Sequence, residues 1–103
     1  MAVPTLTVEQ RDEALRKAQA ARSARKQLLA AIAAREQTIP AVLDRAKTDT
    51  VIGRTKVADL LKSLPGYGPA KVTTLMRQTG IVSSRRAAGL GERQRQALTD
   101  ALT

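Results

Sequence analysis

A chain of 103 residues has room for one ordinary domain, or a small domain with an appendage, and is too short to bury a large core. It contains no cysteine and no histidine, which removes thiol chemistry, thiolate and imidazole metal sites and the commonest general acid–base group, so neither a hydrolase nor a metal site is expected. Eighteen Lys and Arg against nine Asp and Glu leave a formal charge of +9, the electrostatic footprint of a phosphate-rich partner.

The charge is uneven: residues 1–52 hold nine basic and six acidic groups, residues 53–103 nine and three. Tyr67 is the one aromatic residue, whereas proteins that bind single strands stack bases on several aromatic rings, so duplex backbone is the better target. The chain does not open on a basic region followed by a long apolar run. No stretch approaches the roughly 18 apolar residues of a membrane span, which makes the cytoplasm the expected location and a membrane an unexpected partner.

Along the chain, residues 1–6 read as a short tail, and Thr7 with Gln10 three positions on has the form of a capping box. Ala14, Ala18, Ala21, Leu28 and Ile32 fall on one face of a helix running to about Ala34. Most of that face is alanine, so it buries little area, and its N-terminal half is expected to project from the core. Arg11, Arg22, Arg25 and Lys26 occupy an adjacent face, either as solvated charge or along DNA phosphates. Pro40 begins a short helix, Ala41 to about Lys47, ended by residues 48–50, and Val51-Ile52-Gly53 reads as a buried connection.

Val57, Leu60, Leu61 and Leu64 recur at helical spacing until Pro65 halts the helix. Leu64-Pro65-Gly66-Tyr67-Gly68-Pro69-Ala70-Lys71 then forms a tight turn, with Pro69 in the first turn of a new helix continued by Val72, Leu75 and Met76. Gly66 and Gly68 are expected to allow φ > 0 and a close backbone approach. A helix opening from such a turn points unpaired N–H groups and its positive dipole end outward, with Lys71 adding charge, which suits a phosphate; the alternative is a plain corner between helices. Thr79-Gly80 marks a stop, Ile81 a buried anchor, and Ser83 or Ser84 the cap of a short helical turn containing Arg85 and Arg86. A last helix, about Glu92 to Leu102, buries Ala97, Leu98 and Leu102 and exposes Arg93 and Arg95. With no strand signal of useful length, the expected fold is all-α: a long N-terminal helix over residues 1–35, a short helix and connection over 36–55, and a helical region over 56–103 that the resemblance below makes a helix-two-turn-helix DNA-binding region.

Leu64-Pro65-Gly66-Tyr67-Gly68 resembles the hairpin of helix-hairpin-helix and helix-two-turn-helix DNA-binding proteins. From Lys56 to about Leu98, with Gly80-Ile81, Arg85-Arg86 and Gly89-Leu90-Gly91 at matching places, the chain looks like the helix-two-turn-helix segment shared with a small-subunit ribosomal protein. The whole, with its Ala-rich first helix and Val51-Ile52-Gly53, resembles the actinobacterial integration host factor family, which is distinct from the enterobacterial heterodimer that reads DNA with β-ribbon arms. The resemblance implies a nucleoid-associated protein that binds double-stranded DNA with little base specificity and bends or compacts it. With no paired carboxylates in a plausible pocket, no enzymatic activity is expected, and no cofactor; a monomer in solution is expected. A phage integrase in a nucleoprotein complex is the further partner the resemblance implies. The candidate DNA-binding residues are Gly66, Tyr67, Gly68, Pro69 and Lys71 at the turn, then Arg85, Arg86, Arg93 and Arg95, with Arg22 and Lys26 on the first helix. Tyr67 stands where the family places an aliphatic residue, so its ring either packs under the turn or lies at the groove edge. For Arg85 and Arg86 the alternative is ordinary surface charge. A structured-RNA-binding or ribosome-associated protein is the second reading, since the ribosomal relative uses the same motif on RNA.

Overall fold

A computed structural model describes residues 7–102; the tail expected over residues 1–6 lies outside the described residues. Among the described residues there are six α-helices and one 3₁₀ turn, and the sole β pairing is an isolated antiparallel bridge between Lys56 and Arg86. No described helix is long and apolar enough to cross a membrane.

Helix α1, Val8–Ala33, opens on the expected capping box: the Gln10 amide donates to Thr7 Oγ1 at 3.1 Å and the Thr7 amide to Gln10 Oε1 at 3.0 Å. It closes with Arg35 at φ +62, in the left-handed region, and the Glu36 amide donating to the Ala31 carbonyl at 2.9 Å, a Schellman closure usually given to glycine. Leu28 and Ile32 are its buried residues, and positions 8–20 are exposed throughout, so the N-terminal half projects. The molecule is accordingly 53 Å along its longest axis, with a radius of gyration of 16.3 Å, against roughly 13 Å for a compact chain of this length. Deleting residues 1–20 is expected to keep a cooperative thermal transition and to lower DNA affinity modestly, because the alanine-rich face adds little to the core. Loss of that transition in a melting experiment would make the projecting half part of the core.

Helix α2, Ile39–Arg45, begins two residues earlier than expected because Thr38 Oγ1 accepts from the Ala41 amide at 3.3 Å, which leaves Pro40 inside the first turn. The stretch expected to be a buried connection is a short helix, α3, Thr50–Arg54. Asp49 starts it, its carboxylate accepting from the Val51 and Ile52 amides at 3.0 and 3.2 Å. Gly53 suits this close packing, because a Cβ would stand 3.0 Å from the Ala46 carbonyl oxygen and 3.1 Å from Ala88 Cβ, tighter than ordinary contact. Helix α4, Val57–Lys62, ends two residues before the expected Leu64, and α5, Pro69–Gln78, starts at Pro69. Gly80 at φ +70 and the Ile81 amide on the Met76 carbonyl at 2.8 Å make the expected stop of α5. Arg85 and Arg86 do not lie in a helical turn: the 3₁₀ turn, Ala87–Gly89, follows them, and helix α6, Glu92–Leu102, is the last described element.

The core is aliphatic. Ile32, Val42, Leu60, Leu61, Val72 and Leu98, from five helices, are fully buried at its centre, and each contributes roughly 1.5–3 kcal/mol by leaving water. Ala97 and Leu102, expected in this core, are half-buried, while Leu98 is the residue of α6 that reaches it. The core sets α4 against α5 and α3 against the 3₁₀ turn, which positions both parts of the site below.

Candidate nucleic-acid interface

The turn between α4 and α5 is closed from within by the Leu64 amide on the Leu61 carbonyl and the Tyr67 amide on the Leu64 carbonyl, both at 3.1 Å. Gly66 sits at φ +84, as expected, but Gly68 does not. Its φ of −83 and ψ of 176 are ordinary extended backbone, because Gly68 is the N-cap of α5 and an N-cap adopts that conformation. What Gly68 lacks is a side chain rather than a conformation: a Cβ at Gly66 or Gly68 would meet nothing within 4 Å, so both face open space.

The N-terminus of α5 is electrostatically bare. Helices α1, α2 and α3 are each capped by a side chain, but α5 has no side-chain cap and no acidic residue in its first turn. Val72 is the first residue whose amide reaches back into the helix, to the Gly68 carbonyl at 3.0 Å, which leaves the Ala70 and Lys71 N–H groups pointing out of the helix end. Lys71 is held beside them, its Nζ 4.3 Å from the centroid of the Tyr67 ring. Tyr67 is half-buried against the core, the packing role among its two expected ones, and the ring also supports the lysine.

A second positive element stands at the other end of α4, roughly 9 Å of helix away. The segment carrying Arg85 and Arg86 runs antiparallel to Arg54–Val57, joined by the Val57 amide on the Arg85 carbonyl at 3.0 Å and the Ala87 amide on the Thr55 carbonyl at 2.9 Å. Arg54, Lys56, Arg85 and Arg86 thus form one ledge, and none has an ion pair among the described residues. Arg86 donates from its guanidinium to the Arg54 carbonyl, which orients it, while Arg85 is half-buried over Gly89 with its Nε enclosed and without a partner. Arg54 and Lys56 were not among the expected site residues. Their signal is a basic pair immediately before a helix, and its meaning depends on a pairing 30 residues away in the chain.

The remaining candidates lie elsewhere. Arg93 is exposed on α6. Arg95, expected to be exposed, has its side chain only 19% exposed and is bound to Asp44 of α2. That hydrogen bond, with the charges of Arg95 and Lys47 behind it, holds the Asp44 carboxyl below its usual value against the opposing effect of desolvation. Arg95 is therefore a strut between α2 and α6. Arg22 and Lys26 are exposed on α1, which packs on α3 and α4 through Leu28 and Ile32.

A helix pair joined by a two-turn hairpin inside a small all-α core defines a helix-two-turn-helix protein, and the model of the S13-like H2TH domain matches residues 32–102. The chain is 45% identical to the integration host factor of Mycolicibacterium smegmatis, over 97% of this chain and 95% of that one. It is 44% identical to the integration host factor of Mycobacterium tuberculosis, over the same shares. A solved structure described as sIHF bound to an 8-bp palindromic DNA superposes with a TM-score of 0.83 at 34% identity, covering 85% of this chain and 99% of that one. The chain belongs to the actinobacterial integration host factor family.

Proposed function

We propose that this chain is a nucleoid-associated architectural protein that grips the backbone of duplex DNA at two places and performs no reaction. The observation that carries the reading is the bare N-terminus of α5. Outward N–H groups, a helix dipole and Lys71 converge there on open space in front of Gly66 and Gly68, an arrangement that favours an anion. Pro69 serves it by setting the first turn without adding an N–H of its own.

The ledge of Arg54, Lys56, Arg85 and Arg86 takes a second stretch of backbone. Arg93, Arg22 and Lys26 add positive field on other elements, and Arg95 is left out because Asp44 already neutralises it. Contacts of this kind position a protein without reading bases, so sequence preference is weak. Two rigid grips on one duplex also favour bending and compaction, and we extend the reading to assembly of a phage integration complex with an integrase. The related structure described as bound to DNA supports duplex DNA as the partner.

Structured RNA is the second reading, favoured by the S13-like character of the matched domain. A labelled duplex challenged with unlabelled DNA duplexes or with folded RNA at matched salt tests the choice. DNA duplexes of unrelated sequence are expected to compete about equally, and folded RNA less well. Preferential displacement by RNA would reverse the assignment.

A further inference from the structure

Beside the hairpin, sharing Leu64, Pro65 and Tyr67 with it but not Gly66, Gly68 or Lys71, lies an open groove of about 460 Å³. Ile39, Pro40, Leu64, Pro65 and Leu102 supply its apolar walls, and Arg35 is the one charged residue along it among the described residues. Arg35 is also the only non-glycine described residue with positive φ. An arginine in the left-handed region costs more than a glycine would, and here it places a cation on the groove. It has no ion pair among the described residues.

A complementary surface exists at the far end of the same molecule. Of the three large hydrophobic residues that are exposed among the described ones, Val8 at 72% and Leu15 at 58% lie on the projecting half of α1. Seven residues apart, they share one helix face, and Asp12 lies between them, four residues after Val8, without an ion pair among the described residues. An apolar, acidic, apolar strip at i, i+4 and i+7 is the pattern by which a helix seats in an apolar groove, with the carboxylate free to meet a cation at the rim. The strip cannot reach its own groove, because Leu15 is roughly 27 Å along a continuous helix from Ala33.

We propose that the Val8–Asp12–Leu15 strip docks in the groove of a second copy of this chain, with Asp12 meeting the partner's Arg35. The contact is head to tail, so it leaves a free strip at one end and a free groove at the other and adds copies in an open row. Two apolar anchors and one exposed ion pair make a weak contact, which leaves the dilute protein monomeric and acts where copies are crowded, as along a shared polymer. Gly66, Gly68 and the Ala70 and Lys71 amides lie outside the groove's lining, and the association does not depend on nucleic acid.

The absence of cysteine makes the test direct. Single-cysteine variants Gln19→Cys, on the strip face one turn beyond Leu15, and Thr99→Cys, in the groove, are mixed at millimolar concentration without nucleic acid and oxidised. Disulfide-linked peptides joining positions 19 and 99 are then quantified by mass spectrometry. The control places the cysteine at Ala20, roughly 140° round the helix from Leu15. The 19–99 linkage is expected to exceed the 20–99 linkage clearly. Either Asp12→Arg or Arg35→Asp should cut it by about fivefold, and a mixture carrying Asp12→Arg on the strip copy and Arg35→Asp on the groove copy should restore it. Equal 19–99 and 20–99 yields, dominance of 19–19 linkage, or no rescue by the paired reversal would overturn the proposal. A failure of DNA binding would leave these yields untouched.

Discussion

Gly68→Val is expected to weaken duplex DNA binding by roughly 30-fold without changing net charge, with only the small melting shift that a less favourable N-cap residue brings. The variant brings neither backbone strain nor a clash: Gly68 has ordinary extended angles, and its Cβ would enter open space. A branched side chain there covers the Ala70 and Lys71 amides and keeps a phosphate from reaching them. Forfeiting about 2 kcal/mol from hydrogen bonds to a charged group corresponds to that factor. Gly66→Val behaves differently, because Gly66 sits at φ +84; it should cost stability of roughly 1–2 kcal/mol, visible as a melting shift of several degrees. Lys62→Ala, which removes a unit charge from exposed surface, should cost only its screened long-range share. If Gly68→Val stays folded and binds as well as the parent, or if Lys62→Ala is the worse of the two, the turn is only a corner between helices.

Affinity for a duplex is expected to fall about 500-fold between 50 and 200 mM monovalent salt, with near-equal values for unrelated sequences. Five cations set that slope: Lys71 at the turn and Arg54, Lys56, Arg85 and Arg86 on the ledge, each without an internal ion pair among the described residues. Each phosphate neutralised releases condensed counterions, so five contacts produce roughly that fall over a fourfold change in salt. Replacing Lys56 by Ala should flatten the slope by about one contact, whereas Arg95→Ala should leave it unchanged, since Asp44 already holds that guanidinium. A nearly salt-independent affinity, or discrimination of more than about a thousandfold between unrelated duplexes, contradicts backbone binding.

Local rules were legible where a residue acts through its own chain neighbourhood. The Thr7–Gln10 capping box, the Pro69 helix start and the Gly80 stop follow from short-range stereochemistry, and each stands where the sequence alone places it. Composition and periodicity likewise determined an all-α chain with a long, poorly buried first helix, because alanine cannot bury much area whatever it packs against. Position-specific backbone angles were less accessible. Gly68 reads as a left-handed glycine, yet the N-cap role that Pro69 imposes on it requires extended backbone.

Only the tertiary structure decided which charges are free to act. Arg93 and Arg95 are equivalent in the sequence, two residues apart on one helix, but α2 brings Asp44 to Arg95 and leaves Arg93 exposed. Arg54 and Lys56 look like incidental surface charge until the backbone pairing of Thr55 and Val57 with residues 85–87 sets them beside Arg85 and Arg86. The sequence determines the helices and the sum of the charge, since both depend on residues near one another or on composition. The positive ledge depends on contacts between segments 30 residues apart, which the packing of α3 on the 3₁₀ turn creates and no local pattern encodes.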